Sequence, residues 1–357
     1  MSARAADGES ASARAAQRSG PRLRVAIAGL GRMGARHATN LATRVPTAEL
    51  VAACDPGAEA RAFAERDLGV PVTYERYEDL LRDANVDAVF LATPTSEHAS
   101  QIIAAVEAGK HVFSEKPTSL ELAHCQRVEE AAARRPDRKV MIGYVRRFDP
   151  HYRDAYAKVA AGLIGTPFMV RSQTADQNDP SGLFVRYAPK SGGIFLDMSV
   201  HDIDLARWFL GNPRPVRVFA TGTVAVHEGL KDCGDLDNGV ALCEFAGGKV
   251  ATFQASRTMA HGHETLTEII GTKGKLTVGA NPRMTRVEIA DEHGVRNECT
   301  PTFYERFEDA FVAELNAFVE AVRHDRPLPL TLADATEATR IAIAIQASIR
   351  NKASVDL

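Results

Sequence analysis

The chain has 357 residues, of which 45% are hydrophobic and 25% are charged, and its formal net charge is −3. This length and composition are typical of a soluble protein with two domains, and the small net charge gives no general reason to expect nucleic acid or membrane as a partner. Five cysteines without a C-x-x-C pair favour neither a disulfide framework nor a zinc ribbon, so we expect reduced thiols in the cytoplasm. No apolar run reaches the roughly 18 to 20 residues that a membrane span requires.

The first 22 residues differ in composition from the rest of the chain. They are rich in Ala, Ser and Arg and lack the apolar core of a secretory signal. A transit peptide would share the Arg and Ser content, but Asp7 and Glu9 count against one. We therefore predict a disordered leader over residues 1–22.

Residues 23–148 alternate between short apolar segments and amphipathic helical segments. Several of the apolar segments are apolar on consecutive residues, as strands buried on both faces are. The alternation predicts βαβ units and a doubly wound parallel sheet with helices on both faces, which is a Rossmann-type α/β domain. The predicted strands cover residues 24–29, 49–55, 71–74, 86–93, 110–116 and 139–144.

Residues 149–351 have a different sequence pattern, with longer predicted strands and glycine-containing turns. The glycines at 246–249 and 271–275 indicate hairpins. We therefore predict an α+β domain with a large, mostly antiparallel open sheet, closed by helices near 303–323 and 332–350. The predicted strands cover residues 167–175, 216–226, 239–245, 249–256, 267–279 and 286–290.

The segment GLGRMG places Gly29, Gly31 and Gly34 in the G-x-G-x-x-G spacing, directly after a predicted strand and at the start of a predicted helix. In this context the first glycine permits a tight turn, the second lets the backbone approach a pyrophosphate, and the third allows close packing of helix and strand. The next strand ends in Asp55, which is placed to bind the adenosine ribose. A carboxylate there would repel a 2′-phosphate, so we predict NAD and not NADP as the cofactor.

Two further strands end at the same edge of the sheet, where ligands bind in this architecture. Thr93, Pro94 and Thr95 follow one strand and border the expected cofactor, while Ser96 is also a candidate helix cap. Lys116 ends the other strand. An isolated lysine in such a place is usually just exposed, but here its ammonium group is placed to hold a substrate hydroxyl near the nicotinamide.

The segment GIFLDMSVHDID places Asp197, His201 and Asp204 at i, i+4 and i+7, on one face of a helix if the helix is continuous. Three interpretations are open: a solvated helix face, a metal site, or the acid–base part of an active site. Lys116 nearby would repel a dication, so we predict no metal. A histidine oriented by a carboxylate suits the oxidation of a secondary alcohol, because the hydroxyl proton must pass to a base while hydride leaves the carbon.

Taken in order, these motifs resemble the Gfo/Idh/MocA oxidoreductase family, named after glucose–fructose oxidoreductase, inositol dehydrogenase and a rhizopine-catabolism protein. The resemblance extends from Leu23 to about Asn351, and within the family it is strongest to inositol 2-dehydrogenases. The motifs that carry it are GLGRMG (29–34), TPTSEH (93–98), EKP (115–117), RRFDP (146–150), NDP (178–180), SGGIFLDMSVHDID (191–204), SR (256–257) and GTKG (271–274).

The resemblance implies a role for each matching residue. Lys116, Asp197 and His201 are implied to be catalytic, and Pro117 is implied to follow a cis peptide. The implied cofactor-binding residues are Gly29, Leu30, Gly31, Arg32, Met33, Gly34, Asp55, Thr93, Pro94, Thr95, His98 and Glu115. The implied substrate-binding residues are Lys116, Arg146 (or Arg147), Asp179, Asp197, His201 and Asp204. A homodimer or homotetramer built on the open sheet is also implied.

The chain departs from the inositol dehydrogenase pattern at two places. HGHETL at 261–266 replaces a common YGYDQR, and Phe307 stands where a tyrosine is common. We therefore expect a dehydrogenase of a cyclic polyol or sugar, with inositol as the first candidate substrate. The alternatives are a dehydrogenase of another sugar, an NAD-dependent glycosidase, and a non-enzymatic NAD-binding regulator; Lys116 and His201 count against the last.

Overall fold

The computed structural model describes residues 20–279 and 282–357 and contains two main sheets. The predicted leader therefore lies outside the described residues, apart from residues 20–22. The strands are β1 (Leu23–Ala28), β2 (Ala48–Cys54), β3 (Val72–Tyr74), β4 (Ala88–Leu91), β5 (His111–Glu115), β6 (Val140–Gly143), β7 (Pro167–Gln177), β8 (Pro215–Thr223), β9 (Asn238–Phe245), β10 (Lys249–Met259), β11 (Glu264–Gly271), β12 (Gly274–Val278), β13 (Ile289–Asp291), β14 (Gly294–Arg296) and β15 (Val355–Asp356). The α-helices are α1 (Arg32–Thr43), α2 (Ala58–Leu68), α3 (Tyr77–Leu81), α4 (Thr95–Glu107), α5 (Leu122–Arg134), α6 (Pro150–Ala160), α7 (Leu183–Tyr187), α8 (Ile194–Asp197), α9 (Val200–Leu210), α10 (Phe303–Arg323) and α11 (Leu332–Asn351).

The first sheet is parallel throughout and has the strand order β3-β2-β1-β4-β5-β6. Strand β4 in its middle and strand β6 at its edge are both apolar and fully buried, as burial on both faces requires. The order reverses between β1 and β4, so a crevice opens beyond their carboxyl ends. The predicted doubly wound Rossmann sheet is confirmed.

The second sheet is mixed and mostly antiparallel, with the strand order β12-β11-β7-β10-β9-β8-β15. Only β7 and β10 pair in parallel. The predicted hairpins join β9 to β10 and β11 to β12. The prediction that residues 286–290 continue this sheet is wrong: β13 pairs with β14 in a separate two-stranded sheet, and both strands are largely exposed.

The segment that carries Asp197 and His201 is not one helix. The short helix α8 ends at Asp197, and α9 begins at Val200. Between them Met198 (φ −103°, ψ −58°) departs from ideal helical geometry. The i, i+4, i+7 spacing therefore does not define one continuous helix face.

The two long C-terminal helices close the structure. Helix α10 packs on α1 and β1 of the first sheet, and α11 packs on β8 and on α9. Phe318 of α10 makes edge-on ring contacts with Phe90 and Phe113 of the parallel sheet. Within the described parts of the chain, no helix combines the length and apolarity needed to cross a bilayer.

Candidate active site

The glycine loop between β1 and α1 is shaped by close packing on one side and open space on the other. Gly29 has φ +85°, and a Cβ atom there would lie 2.6 Å from the Ala92 carbonyl oxygen. A Cβ atom at Gly34 would lie 1.8 Å from the Gly29 carbonyl oxygen. At Gly31, however, an added Cβ atom would meet no protein atom within 4 Å. The loop therefore needs glycine at its ends for packing and leaves room for a ligand at its middle position.

Asp55 at the end of β2 holds this loop in place. Its Oδ2 atom accepts a hydrogen bond from the Leu30 N–H at 2.7 Å, and its Oδ1 atom accepts one from the Gly57 N–H at 2.8 Å. The carboxylate thus supports the backbone of the loop in addition to the predicted ribose contact.

A cavity of about 790 Å³ opens beyond the carboxyl ends of the parallel strands and extends to the second sheet. Residues from both halves of the chain line it. Residues implied to bind the cofactor and residues implied to bind the substrate therefore lie in one cavity. The predicted residues that line it are Arg32, Met33, Thr93, Thr95, His98, Glu115, Lys116, Arg146, Asp179, Asp197 and His201. The predicted residues outside its lining are Gly29, Leu30, Gly31, Gly34, Asp55, Pro94 and Asp204.

His98 connects two loops at this edge. Its ring nitrogens lie 2.8 Å from the Pro117 carbonyl oxygen and 2.9 Å from the Thr93 carbonyl oxygen. The Lys116–Pro117 peptide bond is cis, as the family resemblance implies. His98 therefore orders the backbone on both sides of the expected nicotinamide position.

Lys116 and Asp197 meet in the cavity wall. The Lys116 ammonium group donates a hydrogen bond to the Asp197 backbone carbonyl at 2.7 Å and lies 3.9 Å from the Asp197 carboxylate. The other carboxylate oxygen of Asp197 binds the guanidinium group of Arg257, whose side chain is buried. Asp197 therefore links two cations at this wall.

The expected hydrogen-bonded pair of Asp197 and His201 is not present. The Nδ1 atom of His201 is buried and has no hydrogen-bond partner among the described residues, and the ring packs edge-on against Tyr144. Burial lowers the pKa of His201 well below its usual value, and the charges of Lys116 and Arg146 lower it further. His201 is thus a neutral imidazole at neutral pH, the form that accepts a proton.

The resemblance implies that Asp204 contacts the substrate, but the structure places Asp204 outside the cavity lining. Asp204 is 1% exposed, and Arg147 donates two hydrogen bonds of 2.7 and 2.6 Å to its carboxylate. His201 and Asp204 both lie on α9, after the helix break, and of the two it is His201 that lines the cavity. Burial raises the pKa of Asp204, and the bidentate contact with Arg147 opposes that rise. This ion pair is structural.

Arg146 lines the cavity but is held from behind. Its guanidinium group donates to Asp202 and to the hydroxyl of Thr174, each at 2.7 Å, and lies over the Phe307 ring. The Phe307 position, where a tyrosine is common in inositol dehydrogenases, thus borders the cavity directly.

A histidine–aspartate pair that the sequence analysis did not predict, His263 and Asp176, also lines the cavity. The Nδ1 atom of His263 lies 2.8 Å from Asp176, while its buried Nε2 atom has no partner among the described residues. His263 belongs to the HGHETL segment, which departs from the inositol dehydrogenase pattern. That departure is the one sequence signal for this residue, because Asp176 lies 87 positions away.

Two family models match most of the chain. A model described as an oxidoreductase family with an NAD-binding Rossmann fold matches residues 23–144, and the Gfo/Idh/MocA C-terminal domain model matches residues 152–277. The chain belongs to the Gfo/Idh/MocA oxidoreductase family. The predicted family and its class of enzyme are thereby confirmed.

Family members with inositol as substrate are among the similar proteins. The chain is 38% identical to the NAD+-dependent scyllo-inositol 2-dehydrogenase of Bacillus subtilis (strain 168), over 94% of this chain and 96% of that protein. It is 35% identical to the myo-inositol 2-dehydrogenase of Thermotoga maritima, over 94% and 98%. Its fold matches the crystal structure of Lactobacillus casei scyllo-inositol dehydrogenase with bound NAD(H) and scyllo-inositol, with a TM-score of 0.90 and 37% identity over 94% of this chain and 99% of that chain.

The residues at the crevice fit the family's dinucleotide. Helix α1 begins after Gly31 without a side-chain cap, so its first N–H groups are available to a pyrophosphate. The space at Gly31 is open, and the next two residues, Arg32 and Met33, line the same cavity as Glu115 and Lys116.

Proposed function

We propose that this family member catalyses the NAD-dependent oxidation of a secondary alcohol on a cyclic polyol, with inositol as the substrate. The observation that carries the proposal is the meeting of Lys116 and His201 in one cavity beyond the glycine loop. The inositol dehydrogenases among its relatives support the choice of polyol.

Each residue has a separate task in this reaction. Bound NAD would supply the acceptor for the hydride that leaves the carbinol carbon. The neutral His201 imidazole accepts the hydroxyl proton, and its low pKa keeps it in the accepting form at neutral pH. The Lys116 ammonium group donates a hydrogen bond to the reacting oxygen and stabilises its developing negative charge. Asp197 and its contact with Arg257 hold Lys116 in position.

A substrate panel tests the proposal. We expect NADH to form with myo-inositol or scyllo-inositol, with kcat/KM at least about tenfold above that for glucose or other sugars. Sugar release from glycosides without net NADH formation would instead indicate a glycosidase. NAD binding without turnover of any compound would indicate a regulator.

We propose further that the chain forms a homodimer or homotetramer through the open face of its second sheet. Phe219 and Leu242 are directly paired across β8 and β9 and are 45% and 38% exposed, and Val240 beside them is 51% exposed. A contiguous apolar surface of this kind is typical of an interface. Light scattering should show a monomer when Phe219 and Val240 are both changed to lysine. Leu163→Lys, at an exposed apolar residue elsewhere, is the control.

The proposal also includes the bounds of the two domains and the cellular location of the protein. We place the cofactor-binding domain at residues 23–148 and the substrate-binding and oligomerisation domain at residues 149–351. The absence of any disulfide among the five cysteines supports a cytoplasmic location.

A further inference from the structure

A buried cluster lies behind the cavity, where the first sheet meets helix α10. It consists of His37 on α1, Glu115 at the end of β5 and Glu314 on α10, with one side-chain nitrogen or oxygen atom of each within 4.8 Å of the others. Phe113 and Phe311 pack edge-on against the His37 ring and exclude water from this side. The mechanism proposed above uses none of the three side chains as an acid or base.

Glu115 is engaged at both carboxylate oxygens. Its Oε1 atom lies 2.7 Å from the His37 Nε2 atom, and its Oε2 atom accepts a hydrogen bond from the Lys116 backbone N–H at 3.2 Å. Both contacts favour an ionised carboxylate. Glu115 also lines the cavity, so this carboxylate connects the cluster to the expected nicotinamide ribose.

Glu314 has no comparable partners. Its side chain is fully buried, and neither carboxylate oxygen has a hydrogen-bond partner among the described residues. An ionised carboxylate in this state would pay the full cost of desolvation beside a second negative charge. A protonated Glu314 carries no charge and can donate a hydrogen bond to Glu115, which has lone pairs to accept it.

We propose that Glu314 is a neutral carboxylic acid that donates a hydrogen bond to Glu115 and holds that carboxylate in place at the nicotinamide end of the site. Glu314 is thus a positioning residue. It acts through Glu115 and does not itself touch the cofactor. The consequence for cofactor binding rests on the proposed function, but the protonation state does not.

The charges around the cluster agree with this assignment. Burial raises the pKa of Glu314 well above its usual value, and the nearby Glu115 carboxylate raises it further. Burial opposes ionisation of Glu115, but the hydrogen bond with His37 and the nearby Lys116 ammonium group outweigh it, so the pKa of Glu115 is lowered. Glu115 has a hydrogen-bond partner at each carboxylate oxygen and Glu314 has none among the described residues, so we assign the proton to Glu314.

Two measurements on the protein without substrate or cofactor test the protonation state. The infrared difference spectrum between wild type and Glu314→Gln at neutral pH should contain the carbonyl stretch of a protonated carboxylic acid. The melting temperature of wild type should also fall relative to Glu314→Gln from about pH 5.5 to about pH 8.5, because an unfolded chain releases this proton and the folded chain keeps it. A missing infrared band, or a difference in melting temperature that does not change with pH, would overturn the proposal.

Paired substitutions test the positioning role. Glutamine retains a neutral hydrogen-bond donor, so Glu314→Gln should bind NAD within about threefold of wild type. Glu314→Leu has no donor, and its Kd and KM for NAD should rise about tenfold with little change in the KM for the polyol. Equal Kd values for NAD in Glu314→Gln and Glu314→Leu would refute the role of Glu314 as a hydrogen-bond donor. Stoichiometric metal in the purified protein, lost in Glu314→Gln, would show that the cluster holds a cation in place of the proton.

Discussion

The carboxylate of Asp197 is bound by Arg257 and not by His201. Arg257 is 3% exposed, and its other acidic neighbour, Asp235, lies 3.7 Å away. Asp197 therefore neutralises a buried cation and positions Lys116 through its backbone carbonyl. Removal of the Asp197 charge should therefore affect the stability of the protein as well as its activity.

Asp197→Asn should lower both stability and activity. The free energy of unfolding should fall by about 1 to 3 kcal/mol, less than for a fully buried pair because Asp197 is partly exposed and Asp235 remains. Urea denaturation measures this loss, with Asp154→Asn at an exposed ion pair as the control. In the double variant with Arg257→Met the losses should be less than additive. Additive losses would contradict the coupling.

The pH dependence of oxidation should reflect the low pKa of His201. The neutral imidazole is the active form, so kcat/KM should be level at neutral and alkaline pH and should fall only as acid protonates the ring. His201→Ala should lower the rate by about 10² to 10⁴ and should retain NAD affinity. A variant that keeps the wild-type rate and acid limb would assign the base to another group.

Lys116→Ala should abolish most turnover while NAD still binds. The reason is that the ammonium group acts on the substrate oxygen, so its loss should reduce kcat by at least about 10². Single-turnover kinetics and NAD titration separate the two effects. Lys158→Ala, at an exposed lysine, should behave as wild type. A near-normal kcat for Lys116→Ala would show that the lysine is not catalytic.

Asp55 should determine the preference for NAD. Asp55→Ser should narrow the ratio of kcat/KM between NAD and NADP, because it removes the charge that repels a 2′-phosphate. The substitution should also weaken the binding of NAD, since Asp55 accepts a hydrogen bond from the Leu30 N–H and so supports the glycine loop. Asp55→Asn keeps an acceptor for that N–H and so separates the two effects. An unchanged ratio in both variants would refute the charge argument.

His263 should affect the choice of polyol. His263 lines the cavity, and its buried Nε2 atom has no partner among the described residues, so we expect this atom to bind a substrate hydroxyl. His263→Phe should raise the KM for the preferred polyol about tenfold and leave the KM for NAD unchanged. Asp176→Asn should have a smaller effect of the same kind. Equal changes for all polyols tested would indicate a loss of cavity shape and not of a specific contact.

Local sequence patterns were sufficient to predict the parallel sheet and the glycine loop, whereas the family resemblance implied that Lys116, Asp197 and His201 share one site. Consecutive apolar residues and a strand–loop–helix context are local properties, and parallel topology brings strand ends to one edge. Periodicity did not predict that Asp204 lies outside the cavity, because a helical pattern does not show that Arg147 binds the Asp204 carboxylate.

The contacts that sequence reasoning missed are all distant in the chain. Asp204 and Arg147 are 57 positions apart, and Asp197 and Arg257 are 60 apart. Periodicity carries no information about such partners, since they are selected by tertiary packing. Glu314 is the extreme case: in the sequence it is one acidic residue on an amphipathic helix, and only the fold places it beside Glu115.

The contacts of Phe318 with Phe90 and Phe113 have a consequence for synthesis of the chain. The strands of the parallel sheet lie in the first half of the chain. The helix that covers their aromatic residues, α10, is the second-last helix and is synthesised much later. A ribosome must therefore release nearly the whole polypeptide before this core can close. Until then the aromatic side chains that α10 covers in the folded protein have no partner from this helix.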